Sequence, residues 1–250
     1  MKLVILGAGT AVPAANRSAA SIYLNAGKEH VLLDAGPGAM QRLHKVGVSI
    51  FDVDRVFITH YHLDHCLDLA TLLFARRIPT PFRQKSLSLY GPRGLRELLC
   101  QLNHAFCDWM KPLGFQLALR ELGATRLTLP GYTVQTRPMN HYETGAIGYR
   151  FSVGKKIIAY SGDTDVCDDV VRLGHKADVL ILECSLTDEC KMDGHLTPSL
   201  CARLAAAAQA KHLVLTHLYP VFEGYNIAAR VRRHYRGRLT VAQDFTTLRV

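Results

Sequence analysis

The chain reads as a succession of short apolar runs, each halted by a polar or glycine-rich cluster. The runs fall at 3–6, 21–25, 30–34, 56–58, 87–90, 115–122, 132–137, 147–151, 156–160, 179–182 and 212–215. Short runs of this kind, bounded by turn-forming residues, predict strands. The second and third pair across Ala26-Gly27-Lys28-Glu29. Composition and spacing predict helices over 38–45, 67–77, 93–104 and 198–210, the second of them closed by Pro79 and Pro81. Strands interleaved with helices indicate a layered α/β architecture, and 250 residues suffice for one large domain spanning 1–250.

Several of these strands end in side chains that bind metals. The run 56–58 leads into Thr59-His60-Tyr61-His62-Leu63-Asp64-His65. Imidazole nitrogen and carboxylate oxygen suit zinc and other divalent first-row ions. On a strand His60 and His62 share one side, and the turn beyond can return Asp64 and His65 to the same point. So many polar groups beside an apolar segment need a partner that offsets their desolvation; a structural polar turn is the alternative. His141 follows 132–137, Asp163 follows 156–160 within Ser161-Gly162-Asp163-Thr164, Glu183 follows 179–182, and His217 follows 212–215. Taken as a series they predict two ions, one held by His60, His62 and His141, the other by Asp64, His65 and His217, with Asp163 bridging. Taken singly, His141 or His217 would be an ordinary hydrogen-bonded polar residue. A water between two such ions would lose its proton near neutral pH and attack phosphorus or a carbonyl carbon.

The string His60-Tyr61-His62-Leu63-Asp64-His65 resembles the signature of the metallo-β-lactamase-fold hydrolases. The full series resembles their ribonuclease Z-like branch over nearly the whole chain. The resemblance implies a four-layer αβ/βα sandwich, a dinuclear zinc site (manganese or iron as substitutes) and phosphodiester hydrolysis, tRNA 3′-end cleavage included. It implies that Asp64 also orients the attacking hydroxide. It implies that Asp34 supports the metal-binding loop, a role compatible with helix capping. His195, in Asp193-Gly194-His195-Leu196-Thr197-Pro198, would pair with Glu183 and be kept protonated as general acid for the leaving group; its alternative is a neighbour of a helix cap. Asp68, one turn past Asp64, reads as support for the site rather than as a distal ligand. A homodimer is a further implication.

The resemblance frays in two places. The family's basic, glycine-rich arm that grips tRNA has no room between His141 and Asp163. The loop Pro13-Ala14-Ala15-Asn16-Arg17-Ser18 keeps a proline and an arginine but lacks the family's lysine. Hydrolysis of a cyclic or small phosphodiester, a lactone, a carboxylic ester or a thioester on the same site therefore stands as the alternative. A di-iron oxygen-handling protein and a non-catalytic RNA-binding module fit the complete ligand set less well.

Charge and cysteine content sharpen the partners. A formal charge of +9 and a pI of 9.3 favour a polyanion such as RNA. Arg230, Arg232, Arg233, Arg236 and Arg238 gather in a predicted terminal helix and its exit, as a phosphate grip or a solvated face. Gly7-Ala8-Gly9 does not complete a nucleotide-binding motif and reads as backbone approaching the site. Trp109, in 105–114, reads as a wall or lid near the site, or as core. Seven scattered cysteines without a C-x-x-C imply reduced thiols and a cytoplasmic protein. No apolar run is long enough to span a bilayer, and the first is too short for a signal peptide.

Overall fold

Successive residues of a central strand face two different apolar clusters. In β1 (Lys2–Gly7), Leu3 and Ile5 join one cluster while Val4 and Leu6 join another. This period-two division explains why the runs are continuously apolar: both faces are covered. The computed structural model describes residues 1–78 and 85–250; Pro79 and Pro81, expected to close a helix, lie outside the described residues. The chain continues with β2 (Ser21–Ala26), β3 (Glu29–Leu33), α1 (Ala39–Lys45), β4 (Val53–Phe57), α2 (Leu63–Cys66), α3 (Asp68–Arg77), β5 (Leu87–Gly91), α4 (Leu95–Ala105) and β6 (Leu117–Glu121). The second half runs β7 (Arg126–Leu129), β8 (Tyr132–Pro138), β9 (Ile147–Val153), β10 (Lys156–Tyr160), α5 (Asp168–Gly174), β11 (Val179–Glu183), α6 (Pro198–Ala207), β12 (His212–Thr216), α7 (Ile227–Arg232), β13 (Arg238–Val241) and β14 (Thr246–Arg249).

One sheet has the order β14-β1-β2-β3-β4-β5-β6, the other β13-β12-β11-β10-β9-β8-β7. Strands β3 to β6 and β10 to β13 are parallel. Between the sheets lies a core with Phe57, Tyr149 and Phe151 at its centre; the Phe57 ring meets the other two edge-on at 5.3 Å. A second cluster sits under α1, α3 and α4, a third under α5, α6 and α7. Helix, sheet, sheet, helix is the expected four-layer αβ/βα sandwich. Glu29 joins its halves as well: Oε2 accepts from Arg55 Nε at 2.6 Å within one sheet and from Tyr132 OH at 2.7 Å from the other.

The structure departs from sequence expectation in identifiable places. The helix expected over 67–77 is α3, but an unexpected short helix, α2, precedes it; the two are separated at Leu67, where Asp68 N–H donates to Ala35 O at 2.8 Å instead of continuing the ladder from α2. The strand before the histidine cluster ends at Phe57, because Thr59 N–H is taken by Asp34 Oδ1 at 2.8 Å. His60 and His62 therefore lie on a loop, not a strand. The arginine cluster is divided: Arg230 and Arg232 lie in α7, but Arg238 opens β13. Trp109 is neither core nor buried; 56% of it is exposed, its ring 6.0 Å from Phe74 and under the Arg77 guanidinium.

Candidate metal centre

The C-terminal ends of the parallel strands in both sheets meet at one edge, where layered α/β folds place their sites. From the first sheet, Asp34 follows β3 and Thr59-His60 follow β4, while α2 carries Asp64 and His65. From the second, His141 follows β8, Asp163 follows β10, Glu183 ends β11 and His217 follows β12. Gly162 permits the close approach of the two: it has φ +62°, and a Cβ there would lie 2.6 Å from Thr59 Cβ.

All seven residues expected as ligands converge. His60, His62, His141 and Asp163 bring ligand atoms within 4.8 Å of one another, as do Asp64, His65 and His217. Asp163 is the hub. Its Oδ1 is 3.4 Å from His65 Nε2, and its Oδ2 is 3.9, 3.8 and 3.4 Å from Nε2 of His60, His141 and His217. Separations of this size leave room for cations between the donor atoms. His62 is exposed at the rim, with Nδ1 3.2 Å from His141 Nε2. Asp68 stands apart from these groups: its Oδ2 accepts from Met40 N–H at 3.1 Å, tying α1 to α3. The glycine loop does reach the cluster, for Ala11 N–H donates to Asp64 Oδ2 at 3.0 Å.

Two carboxylates orient the imidazoles, and they do it in the same way. Asp34 Oδ2 accepts directly from His65 Nδ1 at 2.8 Å. It also accepts from the Thr59 hydroxyl at 3.0 Å, and Thr59 Oγ1 lies 3.0 Å from His60 Nδ1. Glu183 repeats the pattern: Oε1 is 2.9 Å from His195 Nδ1, while Oε2 accepts from the Ser185 hydroxyl at 2.8 Å, and Ser185 Oγ lies 3.0 Å from His217 Nδ1. Because each hydroxyl hydrogen is committed to its carboxylate, the hydroxyl oxygen accepts from the histidine. Nδ1 is thus the protonated nitrogen in His60, His65 and His217, and Nε2 offers its lone pair to the cluster. His141 reaches the same tautomer through Nδ1 and Gly194 O at 2.8 Å. Thr59, Ser185 and Tyr160, whose hydroxyl also donates to Asp34 Oδ2 at 2.8 Å, were not singled out by the sequence reading. Their one signal is proximity to a strand end that carries a candidate site residue.

The residues present fit divalent ions. His60 Nε2, His65 Nε2 and Asp163 Oδ1 are buried and have no hydrogen-bond partner, an arrangement costly without a cation between them. Burial holds His60 and His141 below the ordinary histidine range, in the neutral form that ligates. Asp163 and Asp64 are buried too, yet the surrounding histidines hold both carboxylates below their usual range. At His65 burial is outweighed by Asp163 and Asp34, which push it up and mark where negative charge accumulates. His195 is also pushed up: burial opposes protonation, and Glu183 overcomes it. His195 forms a third group with Asp163 and His217.

Comparison with known proteins identifies the family. Residues 29–218 match the family described as Beta-lactamase superfamily domain. Ribonuclease Z of Pyrobaculum arsenaticum is 30% identical over 297 positions, covering 100% of this chain and 98% of that protein. Ribonuclease Z of Methanothermobacter thermautotrophicus is 28% identical over 303 positions, covering 100% and 97%. Both alignments are longer than this 250-residue chain, so the relatives carry insertions it lacks; here β9 and β10 form a tight hairpin through Gly154. Human tRNase Z, short form, superposes with a TM-score of 0.82 at 27% identity, covering 100% of this chain and 99% of that one. With its sandwich, its convergent histidines and these full-length similarities, the chain belongs to the beta-lactamase superfamily and, within it, to the ribonuclease Z family.

Proposed function

We propose that this protein is a zinc-dependent phosphodiesterase acting on RNA, with residues 1–250 forming one catalytic domain. His60, His62, His141 and Asp163 would hold one ion, and Asp64, His65, His217 and Asp163 the other. Bound there, the ions supply Lewis-acid activation of water and stabilise charge on the phosphoryl oxygens. Asp64, with one oxygen fixed by Ala11 N–H, is placed to orient the attacking water. His195, held upright by Glu183, donates a proton to the departing alkoxide oxygen. Asp34 and Ser185 keep the imidazoles in the ligating tautomer throughout.

The observation that carries the phosphodiester reading is the 2.9 Å Glu183–His195 pair beside Asp163 and His217. An alkoxide leaves poorly unless protonated, so such an acid pair matters most for a diester and least for an activated carbonyl. The test is metal analysis of the purified protein with a panel of precursor tRNA, bis-aryl phosphodiester, cyclic nucleotide and lactone. Two zinc ions per chain and diester cleavage are expected; a metal-loaded protein that cleaves no diester refutes the reading. Binding of RNA should weaken steeply with salt, given the +9 charge. Seven unpaired cysteines suit a reducing compartment, and we place the protein in the cytoplasm. Among the described residues no helix is long and apolar enough to cross a membrane.

We further place a second copy of the chain on the apolar groove of about 410 Å³ lined by Ala70, Thr71, Phe74, Phe106, Trp109 and Met110. Phe74, Phe106 and Trp109 are each exposed there, and aromatic side chains are enriched at protein interfaces. Sedimentation should show a dimer that Trp109→Glu converts to a monomer.

A further inference from the structure

Tyr142 is the conformational outlier of the site. Its φ is +46°, as are those of Asp34 at +55° and His217 at +57° in the same left-handed region. Asp and His tolerate this conformation, whereas a bulky aromatic adopts it at a cost that Asn or Gly would avoid. Burial does not offset that cost, since 57% of Tyr142 is exposed. The ring is nevertheless fixed. Its hydroxyl donates to Asp193 O at 2.8 Å, and it lies against Gly194, where a Cβ would come within 2.9 Å of Cε2 and Cζ. A turn by itself would need neither the hydroxyl anchor nor the bare glycine. The centroid is 4.9 Å from that of His141 and 6.2 Å from that of His195. Strain retained at a site points to a use for the strained residue.

We infer that Tyr142 is a stacking platform for the base next to the scissile phosphodiester, on the leaving-group side marked by His195. The inference rests on the phosphodiesterase reading above and names its substrate class: diesters that carry an unpaired nucleobase, single-stranded RNA ends among them. Every base has a π-face, so the platform selects nucleotides over other diesters without reading sequence. The ring replaces the stacking neighbour that the base loses when it is drawn into the site.

The test compares wild type, Tyr142→Phe and Tyr142→Asn. Tyr142→Asn keeps a residue suited to the left-handed backbone, so thermal unfolding should show an intact fold. In equilibrium titration of the zinc-loaded protein with a short single-stranded oligoribonucleotide made uncleavable at the scissile bond, Tyr142→Asn should weaken binding on the order of 5- to 150-fold, the range of one base stacked on one aromatic. Tyr142→Phe should retain most of the affinity. In turnover, the quantity read is the preference for a dinucleoside monophosphate over its two abasic isomers. That preference should collapse in Tyr142→Asn for one isomer. Equal weakening of normal and abasic ligands, or unchanged binding of both, overturns the inference. Wild-type protein that binds the oligonucleotide in this Tyr142-dependent way but cleaves no diester refutes the phosphodiesterase reading and leaves the platform standing.

Discussion

The Ser185 hydroxyl donates to Glu183 Oε2 across 2.8 Å, which turns its oxygen lone pairs toward His217 Nδ1, 3.0 Å away. The acid pair and a candidate metal ligand are thereby fastened to one carboxylate. Removing the hydroxyl should leave the fold intact and free the His217 ring to rotate. Ser185→Ala is expected to lower zinc affinity by roughly 10- to 100-fold, the usual effect of losing a group that orients a ligand. Competition titration with a chromophoric chelator measures it, and Ser185→Thr should restore affinity.

Asp34 accepts four hydrogen bonds: from Thr59 N and Thr59 Oγ1, from His65 Nδ1 and from Tyr160 OH. Asparagine suits the same backbone, since it shares the tolerance for φ +55°. It cannot accept on both sides, because one oxygen becomes an NH₂ facing donors. Asp34→Asn should therefore cost about 3–5 kcal/mol without backbone strain. Calorimetry should find Tm lower by roughly 10 °C, with zinc stoichiometry reduced.

Glu183 governs the pH range over which His195 stays protonated. The histidine is raised despite burial because the carboxylate favours its cation. Glu183→Gln removes that charge, so His195 should lose its proton at lower pH. The alkaline limb of the kcat/KM profile on an alkyl-leaving-group diester should move toward acid. A profile that only scales down, without moving, would assign Glu183 a structural role alone.

Glu29 makes stability depend on acid. Burial raises its carboxyl, but Arg55 and Tyr132 more than compensate and hold it below the ordinary glutamate range. A depressed folded-state value means stability that is present above the unfolded value and lost as pH falls through the folded one. Denaturant melts should show this loss below about pH 4.5. Glu29→Gln should lower stability by about 2 kcal/mol at pH 7 and flatten the acid dependence.

The layered fold was legible because its central strands are buried on both faces and read as unbroken apolar runs. Three strands escaped the sequence reading, β7, β13 and β14, and each lies at a sheet edge. Edge strands are short and half exposed, as in Arg126-Leu127-Thr128-Leu129, so they carry no continuous apolar signal. The candidate ligand cluster was legible for a different reason: His60, His141, Asp163 and His217 stand just past strand ends, with Asp64 and His65 in the short helix that follows the first of them. Thr59 and Ser185 were not, because a hydroxyl that relays a hydrogen bond looks in sequence like any small polar residue. The rim position of His62 was hidden too, since period-two reasoning assumed a strand that Asp34 had already ended.

His65 and His217 lie with ring centroids 5.0 Å apart, one delivered by each sheet. The centre needs strand ends from both sheets, and neither sheet owns it. Divalent ions held there would act as rivets across a seam, so a cell short of the metal would lose folded molecules and not merely active ones. Metal supply would then set how long each copy survives proteolysis.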